Sequence, residues 1–573
     1  MGEGKSKAKY KSIRWCGLDT ETIDGRAVLV CWADERGGCA YWVEKRFDFF
    51  AVPPGHYVAW NLNYDARAIL AYLPRPVLER LAFYGEATHN GIKFIYYPDK
   101  YFGWGKKRSW RHVFDAYQFY GCSLDSAAEK VLGERKMPGI DREHMEREIK
   151  DRPAEVEAYC IQDARLTWRL WDYLRGQFAA LGISTRQPYS AGALSAPYIL
   201  GKPRRDSAVV NEIARRAYYG GRVECWRLGH FETAENYDLN SAYPWALSYM
   251  PDTAGLVVVR GDEIGAVYRA YHLTAYIPDD LPAGPLPVRG LGDAIVYPTG
   301  VVTGWYTMPE KALLDELRIK HKIHEVYSWI PESTPEYPFA RLRELWHIKE
   351  TRAELKLAAK LAMNGLSGKL AQQRRKVKPA QPGRGIYGGP VIGWFRCQLA
   401  DGPYARVIII ATATARVRVR LYQLALRYHD RVVALATDSI SFAGQIPVEC
   451  GKNMGDWSRK WRGELWQVGC GQYQVITEDG QTLVFNRGFR SKQPWLELLA
   501  KYHNEKYVRI RVQESMGLAY TLKTGREINK FDWYEKEQHL GDEKRIWPEF
   551  RCGDLLDRVI CGKPVRADME VEQ

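Results

Sequence analysis

Asp19 and Glu21 lie two residues apart in "IRWCGLDTETIDGRAVLVCWAD", which reads as strand, acidic segment, strand. Residues two apart on a strand point to one face. These like charges therefore converge, and a bound cation is the simplest explanation, although exposed strands carry such pairs too. Asp65 follows in "HYVAWNLNYDARAIL". There a strand should end near Trp60 and a helix begin after Asn63 or Asp65, so Asp65 also suits a first-turn acid favoured by the helix dipole. Asp163 belongs to "RPAEVEAYCIQDARLTWRLWDYL", a helix that Pro153 should start. Val156, Tyr159, Asp163, Leu166 and Leu170 follow at spacings of three and four, which puts Asp163 inside an apolar stripe. A carboxylate on a buried face is costly unless paired or metal-bound. Tyr159, one turn earlier, shares that face and is placed to orient a water. Two Mg²⁺ ions held by four such carboxylates activate a water and stabilise the leaving oxygen in phosphodiester hydrolysis.

A second pair lies further on. In "ALATDSISF" Asp438 sits between two apolar β-segments, the pattern of a strand, a tight turn and a strand. A solvated turn aspartate is the plain reading. The alternative, a metal ligand, needs a partner, and Asp238 in "NYDLNSAYPWALSYM" supplies one at the end of an apparent strand, with Pro244 near the first turn of a following helix. Two aspartates on neighbouring strands can hold two Mg²⁺ ions and clamp both oxygens of an in-line displacement. Between them, "LWHIKETRAELKLAAKLAMNGLSGKL" has no Pro and no Gly before Gly365 and should be mostly helical. Lys349, Arg352, Lys356, Lys360 and Asn364 recur every three or four residues. On one continuous helix they form a basic stripe, either a solvated face or a triphosphate site. If a turn breaks the helix, only Lys356 to Gly368 share a face. Upstream, "YYGGRVECW" holds Tyr218, Gly220 and Gly221, whose paired glycines suit a bulge or turn.

The elements that carry these residues belong to a chain of 573 residues with 46% hydrophobic content, enough for three or four domains with cores of their own. Lys and Arg outnumber acids by 83 to 69, giving a net charge of +14 and a pI near 9.1. That surplus suits a polyanion such as nucleic acid, or simply a basic solvated surface. The 20 Trp and 36 Tyr stack on bases as well as filling cores. The 11 Cys are scattered without a CxxC pair, which argues against a zinc site or a disulfide framework and for a reducing compartment. No apolar h-region follows the basic start and no apolar run reaches membrane-span length, so a soluble intracellular protein with no membrane partner is expected.

Together, DxE at Asp19 and Glu21, N-xxx-D at Asn61 and Asp65, and Yxxx-D at Tyr159 and Asp163 resemble the DEDDy proofreading 3′–5′ exonuclease domain of DNA polymerases. In order after them, DxxSxYP from Asp238 to Pro244, KxxxNxxxG from Lys360 to Gly368, and TDS around Asp438 resemble the polymerase motifs of family B DNA polymerases. YxGG and the short length resemble the protein-primed phage subgroup. The resemblance spans nearly the whole chain. It implies an α/β (α+β multidomain) fold: a ribonuclease-H-like exonuclease domain (1–185), then a right-hand polymerase. The latter comprises a palm in two parts (186–250 and 402–512), a priming-protein-contact insertion (251–335), fingers (336–370), a strand-displacement hairpin insertion (371–401) and a thumb (513–573).

Carried over residue by residue, the resemblance makes Asp19, Glu21, Asp65 and Asp163 metal ligands of one site and Asp238 and Asp438 of another, with two Mg²⁺ (or Mn²⁺) ions each. It makes Tyr243 the steric gate under the sugar, and Lys360 and Asn364, with Lys349 and Leu239, nucleotide contacts. Tyr218, Gly220, Gly221, Ser241 and Gly368 would touch template or primer, and Asn61 and Tyr64 a single-stranded 3′ end. Lys136, in "ERKMPGID", resembles a lysine near the scissile phosphate; an ordinary surface lysine is the equal alternative. The chain also departs from the family. Ala436 stands where an Asp is usual before Asp438, and Gly365 and Ser367 replace a Ser and a Tyr. The primer-holding KxY reads "GQY", which keeps Tyr473 and loses the lysine, a charge that Arg487 or Arg490 could restore. The implied partners are DNA primer–template, single-stranded DNA, dNTPs and a terminal (priming) protein, acting on a monomer in a host cytoplasm. Two rivals stand beside this reading: a primer-independent family B polymerase, and a catalytically weakened DNA-binding relic.

Overall fold

The computed structural model describes residues 13–141, 144–290, 293–379, 395–488, 491, 493–515, 517–525, 528–529 and 531–567. The first unit is a mixed eight-stranded sheet. Its strands are β1 (Trp15–Ile23), β2 (Arg26–Asp34), β3 (Gly37–Trp42), β4 (Gly55–Ala59), β5 (Glu86–His89), β6 (Ile92–Tyr97), β7 (Tyr101–Lys106) and β8 (Ser109–Asp115), in the order β3-β2-β1-β4-β8-β7-β6-β5. Only β1–β4 and β4–β8 are parallel, and the helices α1 (Leu62–Leu70) and α2 (Arg75–Tyr84) fall between β4 and β5. After β8 come α3 (Tyr117–Tyr120), α4 (Leu124–Leu132), α5 (Met145–Asp151) and α6 (Pro153–Ala180).

Pro153 opens α6 as its first-turn position requires. The expected stripe is buried: Val156, Tyr159, Asp163, Leu166 and Leu170 all face inward. This helix lies directly on β1, so close that a Cβ on Gly17 would stand 1.8 Å from the carbonyl oxygen of Ala164. Glycine is what lets strand and helix touch there. The helix carrying Asp65 begins earlier than the sequence suggests, at Leu62, because Asn61 takes a left-handed conformation (φ 64°) and turns the chain straight out of β4.

After α7 (Ala191–Leu200) and α8 (Ala208–Arg216), β9 (Arg222–Cys225) and the long β10 (Arg227–Leu239) open a second sheet, and α9 (Ala242–Leu247) follows. A third sheet interrupts: β11 (Leu256–Arg260), β12 (Tyr268–Ile277), a short ladder of β13 (Val288–Arg289) with β14 (Ile295–Val296), β15 (Gly300–Thr307), α10 (Met308–Glu316) and β16 (His321–Pro331), with β11-β16-β12-β15 side by side. The 251–335 segment is therefore a folded layer with its own apolar core around Leu273, Leu286 and Tyr306.

The basic segment is not one helix. α11 (Arg341–Thr351) ends at Arg352, whose backbone is extended, and α12 (Lys356–Gly365) and α13 (Ser367–Leu370) follow. The break has a tertiary cause: the buried Gln177 side chain on α6 accepts the N–H of Ala358 at 3.1 Å and so caps α12 from another part of the chain. At its far end α12 crosses α7 where glycine meets glycine; a Cβ on Gly192 would lie 2.2 Å from the Gly365 carbonyl oxygen. Gly365, a departure from the family pattern, is thus a close-packing residue.

Strands β17 (Gln373–Pro379) and β18 (Phe395–Asp401) pair antiparallel; the rest of the expected 371–401 hairpin, residues 380–394, lies outside the described residues. The apolar α14 (Val407–Arg427) then leads to β19 (Val432–Thr437), β20 (Ser439–Ala443), β21 (Trp457–Gly469), β22 (Gln472–Thr477) and β23 (Thr482–Asn486). These complete the second sheet in the order β23-β22-β21-β10-β20-β19-β9. Beyond it lie α15 (Trp495–Lys501), the hairpin of β24 (Tyr507–Ser515) and β25 (Phe531–His539) with α16 (Leu518–Thr524) between, then β26 (Arg545–Ile546), α17 (Asp554–Asp557), β27 (Val559–Cys561) and β28 (Lys563–Pro564). The expected 513–573 unit is not separate, because β27 pairs with β10 in the second sheet. Among the described residues no helix is long and apolar enough to cross a membrane.

Asp115, at the end of β8, was not foreseen as a buried carboxylate. Its Oδ1 accepts the backbone N–H groups of Asn61 (3.2 Å) and Tyr117 (2.9 Å), bridging the starts of α1 and α3. Burial pushes its pKa up to about 7, against the pull of those N–H donors. The ionised form is thus disfavoured in the fold. Its cost is fully present above pH 7 and disappears as pH falls toward the unfolded value near 4. Asp115→Asn keeps the acceptor and should be more stable than the parent by about 2–4 kcal/mol at pH 8, with the advantage shrinking steadily to nothing near pH 4. Urea unfolding of both proteins across that range checks it; a constant difference would contradict the assignment.

Candidate active site

The first acidic cluster lies where β1, α1 and α6 meet. Donor atoms of Asp19, Glu21 and Cys160 all lie within 4.8 Å of one another. Asp65, buried on α1, accepts a hydrogen bond from the Thr20 hydroxyl at 2.7 Å. Burial, then the charge of Asp19, holds its pKa well above the usual carboxylate range. The Tyr64 hydroxyl is bonded to that of Thr22 and lies in the field of Asp65, Glu21 and Asp19. Asn61 is exposed at the start of α1. Asp163 pairs with the Lys136 ammonium, which also lies 4.8 Å from the centre of the Tyr159 ring. Burial alone would lower the Lys136 pKa, but Asp163 beside it drives it up. The surface-lysine alternative for Lys136 is thereby set aside, since its side chain is only 18% exposed. Cys160 was missed, although it sits three residues before Asp163 on the same helix. Its thiol is a softer donor than the carboxylates around it.

The second cluster is built on adjacent strands. Asp238 is the last residue but one of β10, opposite Ser439 of β20. Asp438 alone joins β19 to β20, and Thr437 takes a left-handed conformation (φ 66°) to make that turn. The Leu239 N–H donates to the Asp438 carbonyl oxygen at 2.8 Å, tying the two segments together. Burial and the neighbouring Asp238 raise the Asp438 pKa to about 6. Two half-buried carboxylates that repel each other, and that offer only hard oxygen donors, suit Mg²⁺ or Mn²⁺.

These aspartates open into a cleft of about 470 Å³, which Ser241 and Tyr243 line from one side and Lys349, Lys356, Lys360, Asn364 and Ser367 from the other. Trp346, Asn240 and Lys460 also line it and were not anticipated. Lys349 reaches the cleft from α11, its ammonium 3.7 Å from the Trp346 ring centre and 2.8 Å from Glu350. Lys356, Lys360 and Asn364 come from α12, so the helix is broken as in the alternative, although Lys349 shares the cleft and Gly368 does not. Burial, then Asp438, raises the Tyr243 pKa. A Cβ on Gly221 would stand 2.7 Å from the Tyr243 hydroxyl and 2.8 Å from Thr437 Cγ2. Gly221 therefore serves close approach rather than a bulge.

That loop is anchored from behind. The buried Arg418 of α14 donates to the carbonyl oxygens of Tyr219 and Gly220, both at 2.7 Å, and pairs with buried Glu310 of α10 at 2.6 Å. Five other expected contact residues lie away from this cleft. The Leu239 side chain is buried in the core. Tyr218, half-buried, holds Arg289 through its carbonyl oxygen at 2.8 Å. Gly368 is exposed with open space around it. Tyr473 stacks on Phe485 with ring centres 4.4 Å apart, at the far edge of the sheet, and the exposed Arg487 bonds back to Gly471. None of these, nor Gly220, is among the residues lining the cleft; Arg490 lies outside the described residues.

Residues 140–379 match the family model for DNA polymerase type B, organellar and viral. No curated protein matches the chain. Among solved structures, Phi29 DNA polymerase with primer-template DNA and incoming nucleotides aligns with a TM-score of 0.65 at 15% identity, covering 92% of this chain and 99% of that one. Its primer-template binary complex gives 0.63 at 17%, covering 91% and 99%. Its complex with single-stranded DNA gives 0.60 at 17%, covering 83% and 92%. Fold and family model together bear out the resemblance to family B DNA polymerases. The fold is the one Phi29 DNA polymerase has. Gly221→Ala should force Tyr243 or Thr437 aside and cost about 1–3 kcal/mol of stability. Urea unfolding of the parent and the variant tests this.

Proposed function

We propose that the chain is a DNA-directed DNA polymerase with a 3′–5′ proofreading exonuclease, replicating a viral or mobile-element genome. The observation that carries the reading is the cleft in which Asp238 and Asp438 face Tyr243 on one side and the cationic face of α11 and α12 on the other. A primer 3′-hydroxyl there attacks the α-phosphate of a dNTP and pyrophosphate leaves. Divalent ions held by Asp238 and Asp438 would supply activation of the hydroxyl and neutralisation of the leaving oxygen. Lys349, Lys356 and Lys360 meet the charge on the phosphates, Asn364 and Ser367 border the same space, and Tyr243 fills the room a 2′-hydroxyl needs. Asp19, Glu21, Asp65 and Asp163 would hold the ions of excision, with Tyr159 orienting water and Lys136 facing the phosphate.

The domain limits 1–185, 186–250, 251–335, 336–370, 371–401, 402–512 and 513–573 are retained as functional assignments, with residues 559–561 reassigned to the palm. Protein priming draws support from the folded 251–335 layer, and strand displacement from the paired β17 and β18. A monomer in the host cytoplasm fits both. Against the relic rival stands the intact Asp238–Asp438 pair despite Ala436. Primer extension with Mg²⁺, run with and without a primer, tests the reading: no extension in either sinks it, and extension from an unprimed circle favours the primer-independent rival.

Asp163→Ala should abolish digestion of single-stranded 3′ ends and spare extension, and Asp438→Asn should do the reverse; loss of both activities from one substitution in a folded protein would contradict two separate sites. Tyr243→Val should reduce discrimination against ribonucleotides by about 1–3 kcal/mol, measured as the ratio of kcat/KM values for dNTP and rNTP.

A further inference from the structure

β10 and β21 run antiparallel with Asp238 opposite Ser458, Tyr237 opposite Arg459, and Asn236 opposite Trp461. Lys460 is skipped: it is the extra residue of a β-bulge, a device that re-aims a side chain beside a site. Its ammonium lies 3.1 Å from Asp238 Oδ2 and its side chain is 48% exposed. The cleft thus holds two carboxylates and, on one of them, a built-in cation. Ala436 adds no third carboxylate to shift that balance.

We propose that Lys460 is a resident counter-ion of this cleft, so that a divalent metal loads by displacing the ammonium from Asp238. The proposal rests on the reading of Asp238 and Asp438 as metal ligands. Before metal enters, Lys460 relieves part of the repulsion between the two aspartates. Metal must then compete with it, which raises the concentration needed to fill the site. The displaced ammonium stays beside Lys349, Lys356 and Lys360, where a triphosphate's charge can hold it. A half-exposed ion pair contributes little to stability, so its removal should leave β21 folded.

The test is Mn²⁺ binding by electron paramagnetic resonance, without DNA or nucleotide, on the full chain carrying Asp19→Ala and Glu21→Ala to silence the other cluster. Lys460→Met should bind Mn²⁺ about three- to tenfold more tightly than the parent. Lys460→Arg, which keeps the charge, should match the parent. In the otherwise unaltered enzyme, Lys460→Met should lower the Mg²⁺ concentration for half-maximal extension by a similar factor. Unchanged or weaker Mn²⁺ binding by Lys460→Met, while Asp438→Asn abolishes binding, overturns the proposal alone. If Asp438→Asn leaves binding untouched, the metal reading falls and the proposal with it.

Discussion

Bringing Asp438 against Asp238 in a half-buried cleft is electrostatically uphill, and much of the surrounding structure answers that repulsion. Burial and Asp238 together raise the Asp438 pKa to about 6, so near neutral pH the pair is held charged against its own field. Lys460 opposes that field from β21, and the lysines of α11 and α12 stand across the cleft. The first cluster solves the same problem in the same way, with the Lys136 ammonium on Asp163. Each acidic site therefore carries one cation of its own, delivered by a segment outside the motif that supplies the carboxylates.

Geometry at the cleft is fixed from behind by contacts that never meet a substrate. Arg418 holds two successive carbonyl oxygens of the Tyr219–Gly220 loop and is itself neutralised by Glu310. Removing one partner of such a buried pair costs about 3–5 kcal/mol, because the other is left uncompensated. Since Glu310 belongs to the 251–335 layer and Gly221 abuts Tyr243, that layer is mechanically continuous with the Tyr243 side of the cleft. On the lysine side, Gln177 caps α12 and Gly192 receives Gly365, so α6 and α7 set where Lys356 and Lys360 stand.

The carboxylates were legible in the sequence because their spacing is local: two apart on β1, or embedded in the apolar stripe of α6. The hairpin around Asp438 was legible from its apolar flanks. What escaped depends on partners distant in the chain. A break in the basic segment was open, but its position at Arg352 has no Pro or Gly to announce it, because the cap of α12 comes from Gln177. Lys460 reaches Asp238 only through a bulge in the β10–β21 register, which no single-strand pattern reveals. Asp115 carries no local signal of burial, which follows from the two helix starts it bridges. Cys160 was within reach of the helical spacing, but a cysteine on an apolar face reads as core.

The strand β27 has a consequence for how the protein is made. Residues 559–561 pair with the start of β10, and Arg545 bonds both Glu224 of β9 and the carbonyl oxygen of Gly562. The sheet that carries Asp238 and Asp438 therefore draws on segments more than 300 positions apart and cannot close until the later one has left the ribosome. Domains generally fold as units during synthesis. Here neither sheet unit can: Leu518 lies in the core of the first, where Asn529 donates to the Tyr64 carbonyl oxygen, and the second waits with an exposed edge. Both acidic clusters are thus completed only after nearly the whole chain has emerged.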